Sequence, residues 1–255
     1  MHLHELISRP RRYIFEPLFR KIYLLVAGKN AIEIRKSELI AFPMYMQFEY
    51  NGKILDLFEH DYNCGYYYHR MSERCLEIAI AIDWLNRVDG EVLEIGAVTP
   101  RYFPALSAHT PKVIKDVCDP HDDHPGVNLK CSLFDLDLTG KNILSISTIE
   151  HIATGDYGVE VKTNENPVLA FQKMVQESSK CLITFPVGYN KMLDTYFAQE
   201  QYADIKLKVH EKLFVTLFVR NKTDNKFTRE RNMASMMSIE FGPMGANAVV
   251  VIEKY

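Results

Sequence analysis

Three short stretches of this chain carry side chains that could act on one ligand: Glu94 to Gly96, Asp119, and Ser147 to His151. A lone aspartate such as Asp119 can accept hydrogen bonds from both hydroxyls of a ribose, and it lies 23 residues past Gly96, near the interval of about 20 at which open α/β sheets place such an acid. Asp116, Asp122 and Asp123 crowd the same stretch, so the ribose role is fixed only to within one acidic position. The imidazole of His151, with an ordinary pKa near 6.5, can take a proton at neutral pH. A glycine at position 96 allows a ligand to approach the backbone closely.

These residues need a scaffold that gathers them. Val92 to Ile95, closing on Gly96, reads as a buried parallel strand with a sharp turn at its carboxyl end. Further strands are predicted at Val113 to Val117, Asn142 to Ser147 and Cys181 to Phe185, with helices at Cys75 to Val88, Arg101 to Ser107 and Pro167 to Lys180. Ser72 is in place to cap the first helix. Alternation of this kind predicts a parallel sheet with crossovers, and open α/β sheets bind ligands beyond the carboxyl ends of their strands. Leu213 to Arg220 and Ala248 to Ile252 read as two closing strands joined by the polar segment 221–231, an antiparallel finish. Ahead of the sheet, Met46 to Tyr50 and Lys53 to Phe58 flank Asn51-Gly52, a hairpin signal because a type I′ turn needs positive φ at both central residues. The expected fold class is therefore α/β: a Rossmann-like, mostly parallel, doubly wound sheet with an antiparallel last strand. A small helix and hairpin subdomain or lid occupies residues 1–72, and the core occupies residues 73–255.

The turn Glu94-Ile95-Gly96-Ala97-Val98-Thr99-Pro100 holds one glycine. Dinucleotide sites use GxGxxG to cradle a pyrophosphate, so a nicotinamide-dependent oxidoreductase is disfavoured. One glycine suits a nucleoside without a pyrophosphate, such as S-adenosyl-L-methionine. The string His121-Asp122-Asp123-His124 has ligating side chains, but adjacent residues rarely converge on one ion, and the flanking Pro120, Pro125 and Gly126 mark a loop. No metal site is expected.

A net charge of −3, with 47% hydrophobic and 25% charged residues, offers no basic surface for nucleic acid. The five cysteines include no CxxC pair and no zinc-ligand spacing, which suits free thiols in a reducing compartment; the cytoplasm is the expected location. The start of the chain lacks the apolar core of a signal peptide, and no run approaches the ~20 apolar residues that span a bilayer. The segment from Arg9 to Leu25 mixes basic and apolar residues at helical spacing; packing on the protein is the favoured reading over lying on a membrane surface.

VLEIG, VCDP and LSISTIEHI, with GDYG close behind, resemble the motifs of class I S-adenosylmethionine-dependent methyltransferases. TFPVGYN, FVRNKT and NAVVVIEKY are similar to that group's last three strands, so the resemblance covers roughly Glu73 to Tyr255. More narrowly, the chain is similar to bacterial methyltransferases of capsule and surface-polysaccharide biosynthesis, including those linked to methyl phosphoramidate decoration of the Campylobacter capsule. The resemblance implies S-adenosyl-L-methionine as cofactor, with Glu94 and Gly96 beside its methionine part, Asp119 on the ribose and Leu133 or Phe134 near the adenine. Ser147 to His151 would face the methyl group. Val98 and Pro100 depart from the glycines that the group carries in this turn.

Methyl transfer requires alignment and, for a hydroxyl acceptor, removal of a proton. The resemblance makes His151 the base or a structural hydrogen-bond partner, with Asp156 and Tyr157 as alternates. Tyr66, Tyr67, Tyr68, His69 and Arg74 precede the core where this class carries a lid, and Arg74 is counted with the cofactor-binding residues. The expected partner is a small-molecule or carbohydrate acceptor, with homo-oligomerisation left open. A catalytically silent relative that binds a partner subunit is the alternative.

Overall fold

The apolar runs form strands where burial on both faces rewards them. The computed structural model describes residues 47–58, 72–112, 114–155, 165–209, 212–221, 226–241 and 246–255. The hairpin is present as β1 (Gln47–Tyr50) and β2 (Lys53–Asp56), and its turn has φ +50° at Asn51 and +74° at Gly52, as a type I′ turn demands. Phe48 and Tyr50 point inward and join the same core as the first helix. Tyr50 also donates a hydrogen bond to Glu253 Oε2 at 2.5 Å.

The main sheet has seven strands: β3 (Val92–Ile95), β4 (Asp116–Cys118), β5 (Asn142–Ile146), β6 (Lys180–Pro186), β7 (Leu213–Arg220), β8 (Phe227–Glu230) and β9 (Ala248–Lys254). They lie in the order β4-β3-β5-β6-β9-β7-β8. β4, β3, β5 and β6 are mutually parallel, whereas β9 runs antiparallel to both neighbours, β6 and β7. Leu129 adds a parallel bridge to Cys118 outside β4. Helices α1 (Glu73–Arg87) and α2 (Thr99–Leu106) cover one face. On the other lie α3 (Pro167–Glu177), α4 (Lys191–Ala198) and α5 (Ala203–Lys208). The fold is a Rossmann-like, mostly parallel, doubly wound sheet with an antiparallel last strand.

Local expectations differ in a few places. β4 begins at Asp116 rather than at Val113. Ser72 occupies the N-cap position of α1, but its hydroxyl makes no capping bond. The segments joining the last strands contain α4, α5 and β8, which their mixed polar sequences did not announce. At the far end, Lys254 reaches back to the last turn of α3 and donates to the carbonyls of Val175, at 2.8 Å, and Ser178. It thereby satisfies acceptors that a helix end leaves open.

Candidate active site at the strand ends

After β3 the chain moves outward to β4 and then returns to the other side of β3 as β5. The direction of travel thus reverses between β3 and β5, and the crevice beyond their carboxyl ends is where open α/β sheets bind ligands. Glu94, at the end of β3, is fully buried. Its Oε1 accepts from the backbone N–H groups of Val98 (3.0 Å) and Thr99 (2.8 Å), and its Oε2 accepts from the Thr99 hydroxyl. The side chain therefore holds the turn and the first residues of α2. Burial raises its pKa to about 7, against the pull of those hydrogen bonds.

Gly96 has φ +93°, and a Cβ there would meet Thr148 Oγ1 at 2.0 Å. Only glycine fits so close beneath the segment that leaves β5. Ser147 in that segment has φ +41°, a strained value for a residue with a side chain. Its hydroxyl donates to Glu77 Oε1 at 2.6 Å.

Asp119 follows β4 and is half-buried. Its Oδ1 accepts from the N–H groups of His121 (2.8 Å) and Asp122 (2.9 Å), which shapes the loop, and no donor among the described residues engages Oδ2. The neighbouring acids are otherwise occupied. Asp122 pairs with Arg101, Asp123 lies 3.0 Å from Lys130 Nζ, and Asp116 accepts from Asn128. Leu133 is a buried core residue, and the half-buried Phe134 packs against that core. The two stand in a short 3-10 turn, Leu133–Asp135, where Ser132 Oγ accepts from the N–H of Phe134 at 3.3 Å.

A buried ionic group lies under the same crevice. Arg74, in the first turn of α1, has Nη1 3.2 Å from Glu77 Oε2, and its Nε makes no hydrogen bond. Glu77 Oε1 accepts from Ser147 and, at 2.8 Å, from Thr184, which ties α1 to β5 and β6. Glu73 Oε2 accepts from the N–H of Ala246 at 2.8 Å. Glu150, in the 3-10 turn Ile149–His151, is 1% exposed, and its Oε2 has no hydrogen-bond partner. Burial, and then the like charge of Glu77, push its pKa well above the carboxylate range.

His151 lies at the rim, its side chain 26% exposed, with Nε2 3.6 Å from Glu150 Oε1. Its ring packs edge-on against Tyr189, centroids 4.7 Å apart, and Tyr189 packs likewise on Phe241 at 5.5 Å. Gly188 lets this happen. With φ +86°, it passes so close to the other segment that a Cβ would meet the Phe241 nitrogen at 2.6 Å. Asp156, Tyr157 and the tyrosine run 66–68 with His69 lie outside the described residues.

The structure thus brings Arg74, Glu94, Gly96, Ser147 and His151 to the ends of β3, β5 and the start of α1. Asp119 stands at the end of the adjacent β4. Sequence reasoning missed Glu77, Tyr189 and Phe241. Glu77 was findable as a carboxylate inside the apolar run Cys75 to Ile82, and Tyr189 as a polar aromatic just past a parallel strand. An open groove of ≈ 720 Å³ between α3 and α4, lined by Val168, Leu169, Met192 and Thr195 among others, shares none of these residues. No helix among the described residues is long and apolar enough to cross a membrane.

No protein-family profile and no curated protein matches the sequence. The structure is similar to that of a SAM dependent methyltransferase from Archaeoglobus fulgidus, with 12% identity over 72% of this chain and 95% of that one and a TM-score of 0.40. It is also similar to a cyclopropane-fatty-acyl-phospholipid synthase-like protein from Lactobacillus casei ATCC 334, with 13% identity, 70% and 89% coverage and a TM-score of 0.34. A third similarity is to small RNA methyltransferase HEN1, with 11% identity, 80% and 27% coverage and a TM-score of 0.35. Likenesses this distant carry no argument about activity, which rests on the residues themselves.

Proposed function

We propose that this chain is an S-adenosylmethionine-dependent methyltransferase that methylates a hydroxyl group. The observation that carries the reading is the set of unmatched polar atoms at the point where the sheet reverses direction. An amino-acid moiety needs donors for its carboxylate, and Arg74 Nε is a buried donor without an acceptor. A ribose needs an anionic acceptor at the end of the next strand, and Asp119 Oδ2 supplies one. Gly96 keeps the turn free of a side chain. These residues fit S-adenosylmethionine, which when bound supplies a methyl group activated by the positive charge on sulfur.

The protein's own work is then alignment and proton removal. Arg74 and Asp119 hold the two ends of the cofactor, and Glu94 fixes the turn between them through α2. His151, at the rim and braced by Tyr189, takes the proton of the acceptor hydroxyl at an imidazole nitrogen. We place the acceptor among sugars, sugar nucleotides or capsule-linked phosphoramidate precursors. Support for that class comes from the sequence resemblance alone.

One observation favours a second reading, a catalytically silent relative that serves as a binding module. The Thr148 side chain fills the space beside Gly96 into which a ligand would otherwise press. Binding heat with S-adenosylmethionine, followed by turnover with a panel of sugar and sugar-nucleotide acceptors, separates the two. Binding with methyl transfer supports the enzyme, whereas binding with none to any hydroxyl favours the module. Absence of binding rejects the enzyme and leaves the module, with Thr148 occupying the space beside Gly96.

A further inference from the structure

Of the four buried carboxyls that surround Arg74, three have their partners. Glu73 accepts from Ala246 and lies within the field of Arg220. Glu77 accepts from two hydroxyls and faces Arg74. Glu94 accepts from two backbone N–H groups and a hydroxyl. Glu150 is the exception: Glu77 Oε2 also lacks a hydrogen bond but is ion-paired with Arg74, whereas Glu150 Oε2 has no hydrogen-bond donor and no Lys or Arg ion pair among the described residues, Oε1 stands 3.6 Å from His151, and the residue is 1% exposed. A buried acceptor without a donor costs about 1–3 kcal/mol, and such an atom calls for an explanation. Among the described residues no group of three or more His, Cys, Asp or Glu side chains could hold a metal ion.

We infer that Glu150 is the counter-charge for a cationic group of the ligand, which on the reading above is the sulfonium and ammonium end of S-adenosylmethionine. The position suits this role. Glu150 follows β5 by four residues, on the same turn as the rim histidine, and its main-chain carbonyl accepts from Asn190 Nδ2 at 2.9 Å, which fixes the turn. The groups that face it are Glu73, Arg74 and Glu77 from α1 and His151 from its own turn. Two of the three groups on α1 are acids, and the third, Arg74, is already paired with Glu77 at 3.2 Å. Burial pushes the Glu150 carboxyl well above the usual carboxylate range. Arrival of a cation makes the ionised form favourable, so the carboxyl releases its proton to solvent as the ligand enters.

The inference rests on the proposed cofactor, and the test keeps the two apart. Binding of S-adenosylmethionine, S-adenosylhomocysteine and methylthioadenosine is measured calorimetrically for the wild type and Glu150→Gln. These ligands carry sulfonium plus ammonium, ammonium alone, and neither. The expected result is at least a tenfold loss of S-adenosylmethionine affinity in the variant with methylthioadenosine unchanged within twofold. An accompanying loss for S-adenosylhomocysteine places the ammonium against Glu150, and its absence places the sulfonium there. Equal loss for all three ligands, or no loss for S-adenosylmethionine, overturns the inference while leaving the cofactor in place. Failure of the wild type to bind any of them overturns the cofactor reading itself. A second measurement needs no variant: repeated in buffers of different ionisation heat near pH 7, wild-type binding of S-adenosylmethionine releases a proton and that of methylthioadenosine does not. Equal release for both contradicts the assignment.

Discussion

Asp119 divides its work between its two oxygens. Oδ1 shapes the loop by accepting from His121 and Asp122, and Oδ2, which no donor among the described residues engages, is the oxygen our proposal gives to a ribose. Asparagine can keep the first function but not the second. Asp119→Asn should therefore bind S-adenosylmethionine at least tenfold more weakly by calorimetry, with a melting temperature close to that of the wild type. Asp119→Ala should lose both affinity and melting temperature. If Asp119→Asn binds as the wild type does, the ribose lies elsewhere. For His151 the expectation is inverse: His151→Ala retains cofactor affinity and loses 10²-fold or more in turnover, the ordinary contribution of a general base. Full turnover in that variant would remove His151 from the proton transfer and leave it a structural neighbour of Tyr189.

Among elements, the β3–α2 turn is the most demanding. Gly96→Ala places a methyl group into Thr148 and a side chain at positive φ, and should cost about 2–4 kcal/mol in denaturant unfolding. Adding Thr148→Gly should recover the steric part, a coupling that additive variants would not show. The turn was readable in the residues VLEIG because the apolar run and the terminal glycine are local signals. The hairpin was readable for the same reason, since Asn51-Gly52 specifies its own backbone. By contrast, α4 and α5 are short and pack against α3, and β8 is held by its pairing with β7, rather than by a strong local pattern. Nor could the role of Glu77 be read locally, because its hydroxyl partners Ser147 and Thr184 lie 70 and 107 positions away. Arg74 and His151 were singled out as candidates by type and place. The buried carboxyls joining them emerge only when the sheet brings α1 against β5 and β6.

For the molecule as a whole, several buried acids titrate upward. Burial raises Glu94 to about 7 and Asp194 to about 6, and raises Glu73 and Glu150 as well. A carboxyl whose folded pKa exceeds its unfolded value binds more protons in the folded state. Its stabilisation is full below the unfolded pKa and is lost as pH rises through the folded one. The melting temperature of the ligand-free protein should therefore fall between pH 5 and pH 8. Glu94→Gln, which keeps an acceptor for the turn, should flatten that fall, removing about 2–3 kcal/mol of the loss in unfolding free energy over the interval. A melting temperature that climbs from pH 5 to pH 8 would contradict this account of the buried acids. Three of these acids, Glu73, Glu94 and Glu150, are the ones that interact with Arg74, so on the proposed reading the same electrostatics bear on both stability and ligand binding. Titration of the purified wild-type chain with S-adenosylmethionine in a calorimeter tests the central claim most directly. Saturable binding at one site, lost or weakened at least tenfold in Asp119→Asn, is the predicted result; no binding heat at any accessible concentration would contradict it.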